Sequence, residues 1–352
     1  MTDPKLLDAP ARYGDVDRAD AGALIRDLPD QLERGVALGG AGAPPPSLER
    51  IVVCGMGGSG VAGRVAAAYL RGRLPLPLLV VRDFDCPAWV NERTLAVVIT
   101  YSGNTLETLT AAEGARARGA ALVFLSSGGQ AAALAARYGF PHIALPPGRP
   151  PRCALGFMAG ALLAYLGRGG WFAFPGVAGV AAHLRGCWEK WGFEVPVNAN
   201  AAKALAVELA AAGGIAVYGS APLGAVAAER CRTQLEENAK VLAAGHAFPE
   251  LCHNELVAFE RPTAAARALH VLCFRAGDES AAATKQVGIT LDLIRPVVSR
   301  LTELKAAAAD DLGALFELIY FGDLVSYYLA LLRGVDPTPV AHIVQLKARL
   351  AA

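Results

Sequence analysis

Charge is scarce in this chain. Asp, Glu, Lys and Arg make up 18% of its 352 residues, against about 25% in an ordinary soluble protein. The two signs nearly cancel, with 33 basic and 32 acidic side chains and a formal net charge of +1. Charges so balanced and scattered do not form the clustered basic footprint that nucleic acid requires, so no nucleic-acid partner is expected. Cysteine is present in an odd number, seven, without C-x-x-C spacing. That pattern is neither a disulfide framework nor a zinc site. Cys54, Cys187 and Cys273 sit among apolar neighbours and read as buried packing thiols, which suits a reducing, cytoplasmic setting. The opening MTDPKLLDAPARYGD lacks a basic segment followed by an apolar one, so no secretory signal is expected. The longest apolar run, 154–166, falls short of the about 20 residues that cross a bilayer. It reads as a buried helix, and no membrane partner is expected.

What the chain has is apolar material and a regular alternation. Hydrophobic residues are 54% of the total, largely through Ala. The length suggests two domains, and depleted charge suits a surface partly covered by a partner chain. Residues 1–45 read as a helical extension, with Leu24, Ile25, Leu28 and Leu32 at helical spacing and Pro29 forcing a restart or a kink. Strands are predicted at 51–54, 78–81, 95–100, 121–125 and 142–145, with helices at 61–71, 105–118 and 131–138 between them. PPGRPPR breaks the pattern near 146–152. A helical stretch follows at 155–166 and 177–212, interrupted near Pro196. The alternation then restarts with strands at 215–218, 270–274 and 296–299, and helices at 223–242, 281–294, 312–333 and 340–350. Thr338-Pro339 reads as the start of the last helix, Thr as N-cap and Pro in the first helical position. Strands alternating with helices imply parallel sheets covered on both faces. The expectation is an α/β protein with two parallel-sheet α/β sandwich domains and flanking helices: a first domain over 46–165, a helical linker over 166–200 and a second domain over 201–352.

Two loops carry the chemistry of the first domain. Gly55-Met56-Gly57-Gly58-Ser59-Gly60 lies between a strand and a helix and satisfies G-x-G-x-x-G, with Asp83 at the end of the next strand. A dinucleotide fold would place a ribose there. The glycines alone say only that backbone N–H groups face an anion at a helix N-terminus. The second loop, Thr100-Tyr101-Ser102-Gly103-Asn104-Thr105, offers three aliphatic hydroxyls in six residues, again ahead of a helix. Neutral donors on a helix dipole suit a phosphate monoester, and a dinucleotide site has no use for them. An ordinary N-cap by Thr105 accounts for one hydroxyl, not for all three.

GMGGSG followed about 40 residues later by TYSGNTLET resembles the SIS (sugar isomerase) domain. With QLEENAK at 234–240, ELCHNE at 250–255 and RGVDPTPV near the end, the chain resembles the bifunctional phosphoglucose/phosphomannose isomerase family over about residues 45–352. The resemblance implies two SIS domains and an aldose–ketose isomerase that interconverts glucose 6-phosphate and mannose 6-phosphate with fructose 6-phosphate. It implies no cofactor and no metal. By the same resemblance the phosphate sits on Gly57, Gly58, Ser59, Thr100, Ser102 and Thr105. Glu237 is the base, His253 opens the sugar ring from the neighbouring subunit of a homodimer, Arg152 steadies the enediolate and Lys347 assists ring opening. The chemistry agrees with these residue types: a carboxylate to move a proton between adjacent carbons, an imidazole to exchange protons near neutral pH, and a fixed cation for the charged intermediate. Each type also has a structural use. Glu236 reads as a solvated neighbour of Glu237, about 100° around the helix from it. His246 is the alternative to His253, Arg149 to Arg152, and Thr338 is a candidate pocket residue. Thr100 stands where relatives often have Ser, and the hydroxyl is retained. The alternatives are a non-catalytic sugar-phosphate-binding SIS protein, an NAD-dependent oxidoreductase, and another sugar-phosphate enzyme of the superfamily such as a ketose-phosphate aminotransferase half.

Overall fold

The computed structural model describes residues 4–40 and 42–350. The chain divides into two compact units, one of residues 27–185 and one of residues 1–26 with 186–352. In chain order, α1 (Ala21–Arg26) and α2 (Leu28–Gly39) precede β1 (Arg50–Cys54), α3 (Gly57–Leu70), β2 (Leu78–Val81), β3 (Thr94–Ile99), α4 (Leu106–Ala117), β4 (Ala121–Ser126), α5 (Gly129–Tyr138), β5 (His142–Ala144), α6 (Leu155–Gly167) and α7 (Ala178–Trp191). Then come α8 (Ala201–Ala210), β6 (Gly214–Gly219), α9 (Ala221–Glu237), β7 (Ala243–Ala247), α10 (Ala264–Arg267), β8 (Leu269–Arg275), α11 (Ala281–Ile294), β9 (Arg300–Lys305), α12 (Asp311–Leu332) and α13 (Ala341–Leu350).

The described residues of the first unit form a five-stranded parallel sheet in the order β2-β1-β3-β4-β5. Its central strand β3 is buried at every residue, which is why it reads as a continuous apolar run without alternation. The chain order reverses between β1 and β3, so the loops after these two strands flank a switch point at the carboxyl edge, where open α/β sheets bind ligands. The apolar run 154–166 is α6, buried as expected. It packs on α2 with almost no side chain between them: a Cβ on Gly39 would lie 2.1 Å from Ala161 O. Pro29 starts α2 in its first turn rather than kinking a longer helix.

In the second unit the sheet is β7-β6-β8-β9, again parallel, with its switch point between β6 and β8. Two sequence expectations shift here. The helix expected to reach 242 stops at Glu237, and β7 follows, a strand of sequence AAGHA. It carries no β-branched or aromatic residue, so its pairing comes from backbone bonds to β6 alone. The last strand is Arg300–Lys305, not 296–299. Its charged, half-buried face hides the alternation that an edge strand ordinarily shows. α12 is long and apolar enough to cross a membrane by length and composition, and it is wholly buried within its unit. Its two buried carboxylates, Glu317 and Asp323, are both partnered. Glu317 accepts from the N–H groups of Ala307 (3.0 Å) and Ala308 (2.8 Å), and Asp323 takes a bidentate pair from Arg230 of α9 at 3.0 and 2.9 Å.

His270 on β8 is buried, its Nε2 2.9 Å from Thr302 Oγ1. Burial, with Arg300 nearby, pushes its pKa down to about 4. The folded chain therefore keeps a neutral imidazole that the unfolded chain protonates below about 6.5. Stability is expected to fall as pH drops from 6.5 towards 4, and His270→Gln to flatten that decline in urea-denaturation midpoints.

Candidate active site

At the carboxyl edge of the first sheet, β1 ends at Cys54 and the chain turns directly into α3. Gly57 adopts φ +49°, a left-handed conformation that suits glycine, and a Cβ on Gly60 would lie 2.6 Å from Gly55 O. The turn thus requires glycines and leaves the first N–H groups of α3 without helical acceptors. The buried Ser59 hydroxyl accepts from Tyr101 N at 3.1 Å, which fastens this loop to the one after β3.

The second loop is a turn closed by Gly103 N to Thr100 O at 2.8 Å, with Gly103 at φ +74°. Thr100 is fully buried, and its Oγ1 donates to Thr105 Oγ1 at 3.0 Å. Ser102 and Thr105 are half-buried, and Thr105 opens α4 with no side-chain cap of its own. Three residues the sequence did not single out hold this loop. Asn104 Oδ1 accepts from Gln130 N (3.0 Å), Ser127 Oγ donates to Tyr101 O (2.7 Å), and Tyr101 Oη donates to Pro146 O (2.6 Å). They belong to ordinary loop residue types, and only contact across 26 to 45 residues of sequence distinguishes them.

Tyr101 thereby ties the loop to the segment leading to Arg152. Arg152 lies in a 3₁₀ turn, Pro151–Ala154, and is only 3% exposed. Its backbone passes so near Gly58 that a Cβ there would stand 3.0 Å from Arg152 Cα. Arg149 is engaged elsewhere: it pairs with Asp27 at 2.5 Å and lies over the Phe157 ring at 5.3 Å. Gly57, Gly58, Ser59, Thr100, Ser102, Thr105 and Arg152 thus share one edge of one sheet.

The second sheet has the same crevice in another state. After β6, Ser220 Oγ donates to Glu279, and Leu223 N at the start of α9 donates to Asp278 Oδ2 at 3.2 Å. Arg275 holds Glu279 and bonds Glu303 at 3.2 Å. Burial raises the Glu279 pKa, but hydrogen bonds from Arg275 and Ser220 outweigh it and the net shift is downward. Here the chain's own carboxylates occupy the place of an anion at the helix N-terminus.

Glu237 is the last residue of α9, half-buried. Glu236 bonds Arg232 at 2.8 Å and is half-buried rather than solvated. Two contacts fix this end of the helix. Asn238 Nδ2 donates to Ser326 Oγ on α12 at 3.0 Å, and Lys240, at φ +55°, donates to the carbonyls of Glu237 and Pro337. Lys240 therefore brings the turn before Thr338 to the end of α9, a link absent from the sequence reading. Thr338 is not an N-cap. Its N–H donates to Asp336 Oδ1 at 2.9 Å, and α13 begins only at Ala341. Lys347 is exposed on α13, as is that helix throughout.

His253 is exposed in a 3₁₀ turn, Glu250–His253, beyond β7. His246 sits on β7, 3.2 Å from Glu255, whose other oxygen accepts from Tyr218 Oη at 2.6 Å. β7 pairs in parallel with β6 residue by residue, and Phe248 N donates to Gly219 O. The His253 turn therefore lies at the end of the sheet where α9 begins. Glu237 lies where the 17-residue helix α9 ends, about 24 Å along the axis from its start. One copy of the chain does not bring Glu237 and His253 together. Beside the His253 turn runs an apolar groove of about 690 Å³ lined by Phe248, Cys252, Leu256, Val287, Ile289 and Leu293.

The SIS domain profile matches residues 47–148, and the profile of the bacterial phospho-glucose isomerase C-terminal SIS domain matches residues 198–350. The bifunctional phosphoglucose/phosphomannose isomerase of Caldicellulosiruptor bescii is 33% identical over 93% of this chain and 98% of its own. The chain belongs to the bifunctional phosphoglucose/phosphomannose isomerase family. The family member of Thermoplasma volcanium is 34% identical over 86% of this chain and 92% of its own. A hypothetical protein from Thermus thermophilus shares the fold, with a TM-score of 0.72 over 99% of this chain and 95% of its own, at 17% identity. The two SIS profiles fall one on each sheet, so each of the two parallel sheets belongs to an SIS domain.

Proposed function

We propose that this protein interconverts glucose 6-phosphate and mannose 6-phosphate with fructose 6-phosphate by proton transfer through an enediol, without metal or redox cofactor. The observation that carries the reading is the contrast between the two switch points. The first presents hydroxyls and helix N–H groups suited to a phosphate, and the second is filled by Asp278 and Glu279. The phosphate is held by Ser59, Thr100, Ser102, Thr105 and the Gly57–Gly58 backbone. Arg152 stabilises the enediolate, since a fixed buried cation needs no reorganisation as charge develops. Lys347 and His253 open the ring. Glu237 takes the proton from one carbon and returns it to the next. Accepting both epimers requires rotation about the bond between carbons 2 and 3.

The working form is a cytoplasmic homodimer with a shared site. The separation of Glu237 from His253 within one chain supports a second copy that supplies the imidazole, and the apolar groove beside the His253 turn supplies surface for that copy. Mixing Glu237→Gln and His253→Ala proteins, each inactive alone, is expected to restore about a quarter of the native activity, as random pairing in a C₂ dimer gives. Failure to complement would place both residues in one chain's site.

The deciding test is incubation with fructose 6-phosphate in deuterated water with EDTA, followed by NMR. The expected products are glucose and mannose 6-phosphates carrying deuterium at carbon 2. Bound fructose 6-phosphate with no exchange would instead make this a sugar-phosphate sensor, and nicotinamide binding near Asp83 would revive the dinucleotide reading.

A further inference from the structure

We infer that Cys54 and Cys86 form a reversible redox pair that controls the phosphate loop of the first unit. The two sulfurs stand 3.9 Å apart, in van der Waals contact, against about 2.05 Å in a disulfide bond. Cys54 is the last residue of β1, immediately before Gly55, and is fully buried. Cys86 lies in the connection after β2, preceded by four exposed residues, 82–85. It is 5% exposed and donates to Ala111 O on α4 at 3.0 Å. A short opening of that connection admits a small oxidant to Cys86, while Cys54 stays fixed by the sheet. Their shared hydrogen bond draws Cys86 below its ordinary pKa and, with burial, holds Cys54 well above its own. Cys86, beside the exposed residues 82–85, is the more accessible sulfur and the one that reacts first.

The oxidant is a hydroperoxide. The Cys86 thiolate attacks its terminal oxygen, breaking the O–O bond and leaving a sulfenic acid on Cys86. The displaced alkoxide takes a proton and leaves as the alcohol. Cys54 sulfur then attacks the sulfenic sulfur, forming the S–S bond and releasing water. Two thiols have given two electrons and two protons, and the peroxide has become alcohol and water. A thiol reductant reverses the change by exchange.

The bond would tie the end of β1 to the β2–β3 connection and pull on the turn that must hold Gly57 at positive φ and Ser59 against Tyr101 N. Weaker phosphate binding follows. The cross-link itself is independent of the proposed reaction; its effect on substrate binding rests on that reading.

The test treats reduced full-length protein with tert-butyl hydroperoxide and maps peptides by mass without reduction. A linked Cys54–Cys86 peptide is expected, removed by dithiothreitol and absent from Cys86→Ser and Cys86→Ala. A cross-link between other cysteines, or only sulfinic acid at Cys86, overturns the pair. Fructose 6-phosphate affinity, read by calorimetry on the same samples, is expected to fall about tenfold on oxidation, to recover with dithiothreitol, and to stay constant in Cys86→Ser. Linkage with unchanged affinity overturns the control of the loop. Linkage in a protein whose reduced form never bound fructose 6-phosphate leaves the pair standing and removes the proposed substrate.

Discussion

Replacing Glu237 with Gln is expected to lower kcat for fructose 6-phosphate by about 10²- to 10⁴-fold, the usual worth of a positioned general base, with little change in KM. The amide matches the carboxylate in size, so the volume of the side chain is kept while the basic carboxylate is lost. The substitution is informative because α9 is held independently of that side chain. Lys240 bonds the Glu237 main-chain carbonyl, and Asn238 bonds Ser326. A matching loss of circular dichroism would show a structural residue instead. Glu236→Gln serves as the internal control: its partner is Arg232 on the same helix, and its kcat should stay within about twofold of native, since an i,i+4 pair within one helix contributes little. A large rise in KM with unchanged kcat for Glu237→Gln would assign the carboxylate to binding rather than proton transfer.

The largest expected stability effect lies in the buried pair beneath the same helix. Arg230 and Asp323 are almost wholly inaccessible and joined by two hydrogen bonds. Burial pushes the Asp323 carboxyl up, against the pull of Arg230. Asp323→Ala leaves a guanidinium buried without its carboxylate and is expected to cost about 3–5 kcal/mol, read from denaturant midpoints. The double replacement Arg230→Met/Asp323→Leu removes both charges and fills the space with apolar atoms. It should recover most of that loss, since the desolvation penalty of a buried pair often rivals its attraction. If Asp323→Ala loses less than about 1 kcal/mol, water reaches the pair and it is not the clamp between α9 and α12 that the geometry describes.

The division of labour between sequence and tertiary structure follows particular residues. The alternation of strands and helices was legible because a central strand such as β3, buried on both faces, must be apolar throughout, and its helices end at glycines and prolines. The two turns after β1 and β3, to which the proposed function gives the phosphate, were legible as strand-to-helix loops because glycines and hydroxyl residues cluster within six residues of each. β7 was not legible. Its AAGHA carries no side-chain preference, and its pairing is decided by backbone bonds to a strand nearly 30 residues earlier. Nor was the state of the second crevice, because Ser220 and Glu279 meet across 59 residues, and nothing local distinguishes a glutamate that fills a crevice from one that faces water. The separation of Glu237 and His253 belongs to the fold too. In the sequence they are 16 residues apart, with one helix end and one short strand between them. Parallel pairing sends β7 back along α9 and puts the imidazole at the far end of the sheet. Local chemistry selected the residue types, and long-range backbone pairing decided which of them meet.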